Sequence, residues 1–148
     1  MSGQRFRNLS IPRSVYEEML QHALTERPLE CCGLLAGVIG DDGVGEVRRR
    51  YPLLNAAASP VEFESDPVSL FSAWNDIRRR QWEVLAVYHS HPTSAPAPSR
   101  KDLERNHWPQ VVSLIISLIT TPPTTRGWWL GADAYREAEW TIREDRQG

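Results

Sequence analysis

The sequence has almost no lysine: Lys101 stands alone among 17 basic residues, the rest being arginine. Acidic side chains number 19, giving a formal net charge of −2. Nothing in that balance marks the whole chain for nucleic acid, which draws on a strongly basic surface. The arginine triplets Arg48–Arg50 and Arg78–Arg80 are short and separate, and read as a solvated strand edge and a helix C-terminus. Cysteine is as scarce. Cys31 and Cys32 are the only two and are adjacent, so they build no disulfide framework, and a reducing cytoplasm is expected. Long apolar runs are missing too. The longest, Val111 to Ile119, is interrupted by Ser113 and Ser117 and falls far short of the ~20 residues that span a bilayer. The first ten residues are polar and basic, with no apolar core after them, unlike a secretory signal. No period of about 20–50 residues recurs, which excludes a solenoid.

A chain of 148 residues fits one domain of the usual ~100–200 residues. It is too short for a (β/α)₈ barrel, which takes about 200 residues or more. Pro12 sits at the first turn of a helix expected over about Arg13–Glu26, with Val15, Met19, His22 and Ala23 as its apolar stripe and Pro28 as its stop. Cys31–Ile39 reads as a buried strand and Val44–Leu54 as its return after the Asp41-Asp42-Gly43 turn. Asn55–Pro60 is a loop of small residues. Asp66 as N-cap and Pro67 at the first helical position open a second helix to about Arg80. Glu83–Ser90 is a strand, Thr93–Pro98 a stiff loop, and Ser99 the start of a short helix. Val111–Ile119 is a central strand, followed by two more over Arg126–Ala132 and Ala138–Arg143. This is an α/β (α+β) fold: one domain over 1–148, with a mixed central sheet flanked by helices, a core from about Arg13 to Arg143 and flexible termini.

Chemistry concentrates in His89-Ser90-His91-Pro92. Strand alternation puts both imidazoles on one face, with Leu85 and Val87 as its floor, and turns Ser90 the other way. Two imidazoles so placed can share one metal. Asp102 follows across a loop stiffened by Pro92, Pro96 and Pro98, and is a plausible third ligand. Ser99-Arg100-Lys101-Asp102 is equally a capping box, with Ser99 at N-cap and an acid three residues on. The two readings compete most directly for the Ser99 hydroxyl. Glu30 precedes the buried strand. It is either a polar strand end or, if it faces the same cleft, a general base.

Glu30 in Pro-Leu-Glu-Cys-Cys-Gly-Leu-Leu-Ala-Gly, then His89-Ser-His-Pro, Ser99 and Asp102, resemble the JAMM (MPN+) metalloprotease motif, Glu … His-x-His-(x)₇-Ser-x-x-Asp. Every position is filled, and the resemblance spans about Arg13 to Trp140. It implies one Zn²⁺ per chain held by His89, His91 and Asp102. It makes Glu30 the residue that deprotonates water and Ser99 the oxyanion donor. The implied fold is related to that of cytidine deaminases, whose own Pro-Cys-x-x-Cys signature is absent here. The compact chain resembles the short bacterial branch, hydrolases acting after the Gly-Gly tail of ubiquitin-like sulfur-carrier proteins. Asn55–Phe63 is then expected to help form the tail groove, with Asn55, Ala56 and Phe63 as substrate-contact candidates and backbone pairing to a sheet edge as the source of affinity. No nucleic-acid or membrane partner is expected, and self-association is left open. Two other readings also stay open: a non-catalytic scaffold of the wider MPN family, and the same chemistry on an unrelated peptide. His22 and His107 read as ordinary structural or surface histidines. Cys32, sharing the face of Glu30, reads as buried filler, and Trp128, Trp129 and Trp140 as sheet-packing residues.

Overall fold

A computed structural model describes residues 4–106 and 110–145; His107 lies outside the described residues. The elements, in order, are β1 (Asn8–Pro12), α1 (Arg13–Glu26), β2 (Cys32–Ile39), β3 (Val44–Leu53), α2 (Pro67–Arg79), β4 (Glu83–His91), α3 (Arg100–Glu104), β5 (Val112–Ser117), β6 (Thr124–Leu130) and β7 (Tyr135–Arg143). α2 starts where its cap says, whereas Pro12, expected in the first turn of α1, instead ends β1 and leaves α1 without a side-chain cap. Pro12 precedes α1 with extended backbone. The Asp66 carboxylate accepts from the Ser69 N–H ahead of Pro67, the first residue of α2.

One strand was not expected. Residues 8–12 alternate Leu9 and Ile11, both fully buried, with Asn8 and Ser10. β1 pairs in parallel with both β3 and β7, so the mixed sheet closes into a barrel in the order β1-β3-β2-β4-β5-β6-β7. The core therefore begins before Arg13, at Phe6, which is 3 % exposed and packs on Trp129.

Closure gives the sheet an inside and an outside. The larger apolar cluster draws on all seven strands and takes Val15, Met19 and Ala23 from α1. The smaller one joins Cys32, Leu34 and Leu53 to Ala73 and Ile77 of α2, on the outer face of β2, β3 and β4. Gly33 is needed between them. It pairs with Tyr88, and a Cβ there would lie 2.3 Å from the Tyr88 ring. Tyr88 instead lies across the bare glycine and meets His22 Nδ1 at 2.7 Å and Arg50 Nη1 at 3.2 Å inside the fold. Burial, with Arg50 assisting, lowers the His22 pKa to about 4, and the half-buried ring packs edge-on against Tyr88.

Among the described residues no helix is long and apolar enough to cross a membrane.

Candidate active site

β4 carries the centre of the site. Its outer face presents Val87, His89 and His91, while Ser90 points inward, where its hydroxyl accepts the Cys31 N–H at 2.8 Å. Leu85 does not continue the histidine face as alternation predicts. The β2–β4 register shifts at Leu35/Ala36, leaving Leu85 as the extra residue of a bulge. The bulge turns Leu85 into the inner cluster and leaves Val87 on the outer one.

Three donors converge beyond Val87. His89 Nε2 lies 3.2 Å from His91 Nε2. It is 3.2 Å from Asp102 Oδ1, and His91 Nε2 is 3.2 Å from Asp102 Oδ2. A tetrahedral ion with bonds of ~2.0–2.1 Å holds its donors about 3.3 Å apart, so these residues fit zinc. The tautomer fits as well. His91 Nδ1 lies 2.8 Å from the Ala95 carbonyl, which can only accept. Nδ1 therefore carries the hydrogen, and in the neutral ring Nε2 presents its lone pair to the site. Burial disfavours charge on Asp102, but His89 and His91, with the Ser99 N–H, outweigh it and hold the carboxyl well below the usual range. Burial likewise opposes charge on His91, yet its hydrogen bonds with Asp102 and Ala95 raise its pKa.

The capping box is present together with this cluster. The Ser99 hydroxyl oxygen accepts the Asp102 N–H at 3.1 Å, and Asp102 Oδ2 accepts the Ser99 N–H at 2.9 Å. Because Ser99 only accepts there, its own hydroxyl hydrogen remains available to donate. The loop between His91 and Ser99 is pinned from the barrel by two residues that pattern reading did not single out for the site. Ser117 Oγ donates to the Ser94 carbonyl at 2.6 Å, and Trp128 Nε1 donates to the Pro96 carbonyl at 2.9 Å.

Glu30 is 3 % exposed, and its Oε1 is buried without a hydrogen-bond partner. Burial raises its carboxyl to about 8; the Asp102 and Glu62 carboxylates add to the rise, and His91 and Lys101 oppose it. Two of those four, His91 and Asp102, are among the three donors, so the Glu30 carboxyl lies within electrostatic reach of them. Cys32 pairs with His89 across the ladder. Burial pushes its thiol up to about 12, the chemistry of a small core residue and not of a nucleophile.

The segment over residues 55–65 folds over this face as a narrow hairpin, with Asn55 bridged to Ser65 and the Ala56 N–H donating to Glu64. The sheet closes into a barrel, so the expected pairing to a sheet edge finds no edge strand among the described strands. Phe63 stacks on His89 at 4.6 Å between ring centroids. With Val87 and Arg105, it lines both a cavity of about 40 Å³ beside His89 and Asp102 and one of about 430 Å³ bordered by Leu53 and Leu70. Glu62 ties the loop to the other wall through Lys101 Nζ at 2.9 Å and Arg105 Nη2 at 3.4 Å. Ala56 is exposed, whereas the Asn55 amide is engaged with backbone.

Residues 12–131 match the family described as prokaryotic homologs of the JAB domain. The chain belongs to that family. The JAMM resemblance is thereby borne out as membership. A desampylase of Haloferax volcanii is 38% identical over 114 residues, covering 74% of this chain and 80% of that protein. A probable TtuB-protein conjugate cleaving protease of Thermus thermophilus is 38% identical over 101 residues, covering 68% and 64%. A CysO-cysteine peptidase of Mycobacterium tuberculosis is 29% identical over 109 residues, covering 74% and 73%. A solution structure from Desulfitobacterium hafniense superposes with a TM-score of 0.84 at 35% identity, covering 93% of this JAB-domain chain and 94% of its own.

Proposed function

We propose that the protein is a zinc-dependent peptidase or isopeptidase that hydrolyses the bond after the C-terminal Gly-Gly tail of a ubiquitin-like or sulfur-carrier protein. One observation supports this reading: the donors of His89, His91 and Asp102 converge within 4.8 Å of one another, and the buried, unpartnered carboxyl of Glu30 lies within electrostatic reach of His91 and Asp102. The names of the relatives, a desampylase, a conjugate-cleaving protease and a CysO-cysteine peptidase, support the substrate class.

His89, His91 and Asp102 would hold one zinc ion. When bound, zinc supplies Lewis acidity, activating water and polarising a carbonyl. Glu30 takes one proton from the attacking water and delivers it to the leaving amine, so the acyl product gains hydroxyl and the amine gains hydrogen. The Ser99 hydroxyl donates to the oxygen on which charge develops. Phe63 and the backbone at Ala56 line the approach for an extended tail, where glycine residues can lie close to the wall. The chain would act in the cytoplasm.

A fusion of a sulfur-carrier protein ending in Gly-Gly to a short peptide tests the proposal. Zinc-loaded protein is expected to release the peptide after Gly-Gly by mass spectrometry, with one zinc per chain. An intact fusion in the presence of bound zinc would overturn the substrate assignment. Failure to bind zinc after loading would overturn the metal centre.

A further inference from the structure

Glu30 lies just outside β2, and the loop over residues 55–64 takes both of its backbone groups. Its N–H donates to the Ser59 carbonyl at 2.8 Å, and its carbonyl accepts from Asn55 Nδ2 at 3.0 Å. The same nitrogen donates to the Glu62 carbonyl at 3.1 Å. Asn55 Oδ1 accepts the Ala57 N–H at 3.0 Å and the Glu64 N–H at 2.9 Å. A carboxamide has two donor hydrogens and two acceptor sites. All four are used on backbone, so the side chain has nothing left to offer a ligand. Ala58 closes the turn at φ +46°, a left-handed conformation uncommon for a residue with a Cβ.

The carboxylate of Glu30 has no such anchoring, since its Oε1 is buried and unpartnered. Where the carboxylate sits thus follows from where its backbone is held. The other end of the loop is joined, through Glu62, to Lys101 and Arg105, and Lys101 adjoins Asp102 on α3. One loop therefore connects the segment bearing the carboxylate to the helix bearing a metal ligand.

We propose that Asn55 is a positioning residue: it fixes Glu30 against the three metal donors, and it makes that placement depend on the loop along which the substrate tail lies. This rests on the hydrolytic function proposed above. Asn55→Asp isolates the effect, because a carboxylate keeps both acceptor sites and loses both donors. Asn55→Ala removes the side chain without adding charge. In the zinc-loaded full chain, both variants are expected to keep one zinc and to lose far more in kcat than in KM. Their kcat falls on the order of 10²-fold, the scale of a misplaced catalytic group. A second readout is independent of turnover. Amide hydrogen exchange at Glu30 accelerates at least about tenfold, while the Leu34 amide within the β2 ladder is unchanged. Raised KM with unchanged kcat would make Asn55 a substrate contact and overturn the proposal. Unchanged exchange at Glu30 would overturn it as well. If the wild-type protein cleaves no fusion, the substrate assignment falls, and the exchange experiment still decides whether Asn55 holds Glu30. If Asn55→Ala does not fold, Asn55→Asp carries both measurements.

Discussion

Replacing Glu30 with Gln should make the metal-free protein more stable and the zinc-loaded protein inactive. The side chain is 3 % exposed, and burial raises its carboxyl from 4.5 to about 8. In the unfolded chain a glutamate ionises near ~4.3. Below that pH both states are protonated, and the group has no effect on stability. Between the two values the unfolded chain ionises first, so the folded state binds more protons and stability falls as pH rises. Above about 8 the penalty is complete. At ~1.4 kcal/mol per tenfold it amounts to on the order of 5 kcal/mol, and about half of that at pH 6. Glutamine has the same shape and never ionises. Urea unfolding of chelator-treated protein at pH 5, 6 and 8 should therefore show wild type and Glu30→Gln close together at the lowest pH and diverging as pH rises. Parallel profiles would refute the buried, uncompensated carboxylate. In the zinc-loaded protein the same substitution removes the proton acceptor and should lower kcat by ~10²–10⁴ with zinc retained. Normal turnover would remove Glu30 from the mechanism.

Three further substitutions separate the parts of the site. Ser99→Ala loses the bond to the Asp102 N–H, which should cost ~0.5–2 kcal/mol as an N-cap, and also loses a hydroxyl donor, which should lower kcat by ~10²–10³; a stability loss with normal kcat would confine Ser99 to capping. Asp102→Asn retains the acceptor for the Ser99 N–H but removes the charge facing both histidines, so zinc per chain measured after dialysis should drop well below one, and full retention would show that two imidazoles suffice. Trp128→Phe keeps the ring contact with Tyr135 but strips the donor from the Pro96 carbonyl; a loss of about 1 kcal/mol and faster zinc release to a chelator are expected, and unchanged release would mean the loop holds its shape without that bond.

Much of this was legible in the chain because the signals were local. The Asp66-Pro67 cap, the Ser99–Asp102 box and the His-x-His alternation each depend on residues within a turn or a strand of one another. What was not legible depends on partners far away in sequence. β1 shows only Leu9 and Ile11 among polar neighbours, and it becomes a strand because β3 and β7 offer open backbone on both sides. Barrel closure is the same fact seen from the sheet. Leu85 alternates correctly by count and lands on the wrong face, because the bulge opposite Leu35 inserts a residue that no spacing rule reveals. Trp128 reads as a packing residue, and it does pack; its indole N–H reaches the proline loop only because β6 lies beside β5. The many hydrogen bonds of Asn55 were hidden for a similar reason, since Glu30 is 25 positions away.

Asp102 shows why the capping and ligand readings were hard to separate by sequence: the structure makes them one arrangement. A carboxylate that is to bind metal has to be held with its oxygens aimed, and an exposed acid on a five-residue helix would otherwise sample several rotamers. Here the Ser99 N–H bonds Oδ2 at 2.9 Å, while Oδ1 and Oδ2 each lie 3.2 Å from a histidine Nε2. The bond that starts the helix thus also fixes the rotamer of the ligand, as an outer-shell partner does in a metal site. His91 is held the same way, by a backbone carbonyl of the proline loop at its other nitrogen. His89 differs, because its Nδ1 is buried with no partner. Its ring is held instead between Phe63, stacked at 4.6 Å, and the strand that carries it. Of the three donors, His89 therefore depends most on the loop that also holds Glu30, so a movement of that loop reaches the metal donors and the proton acceptor together.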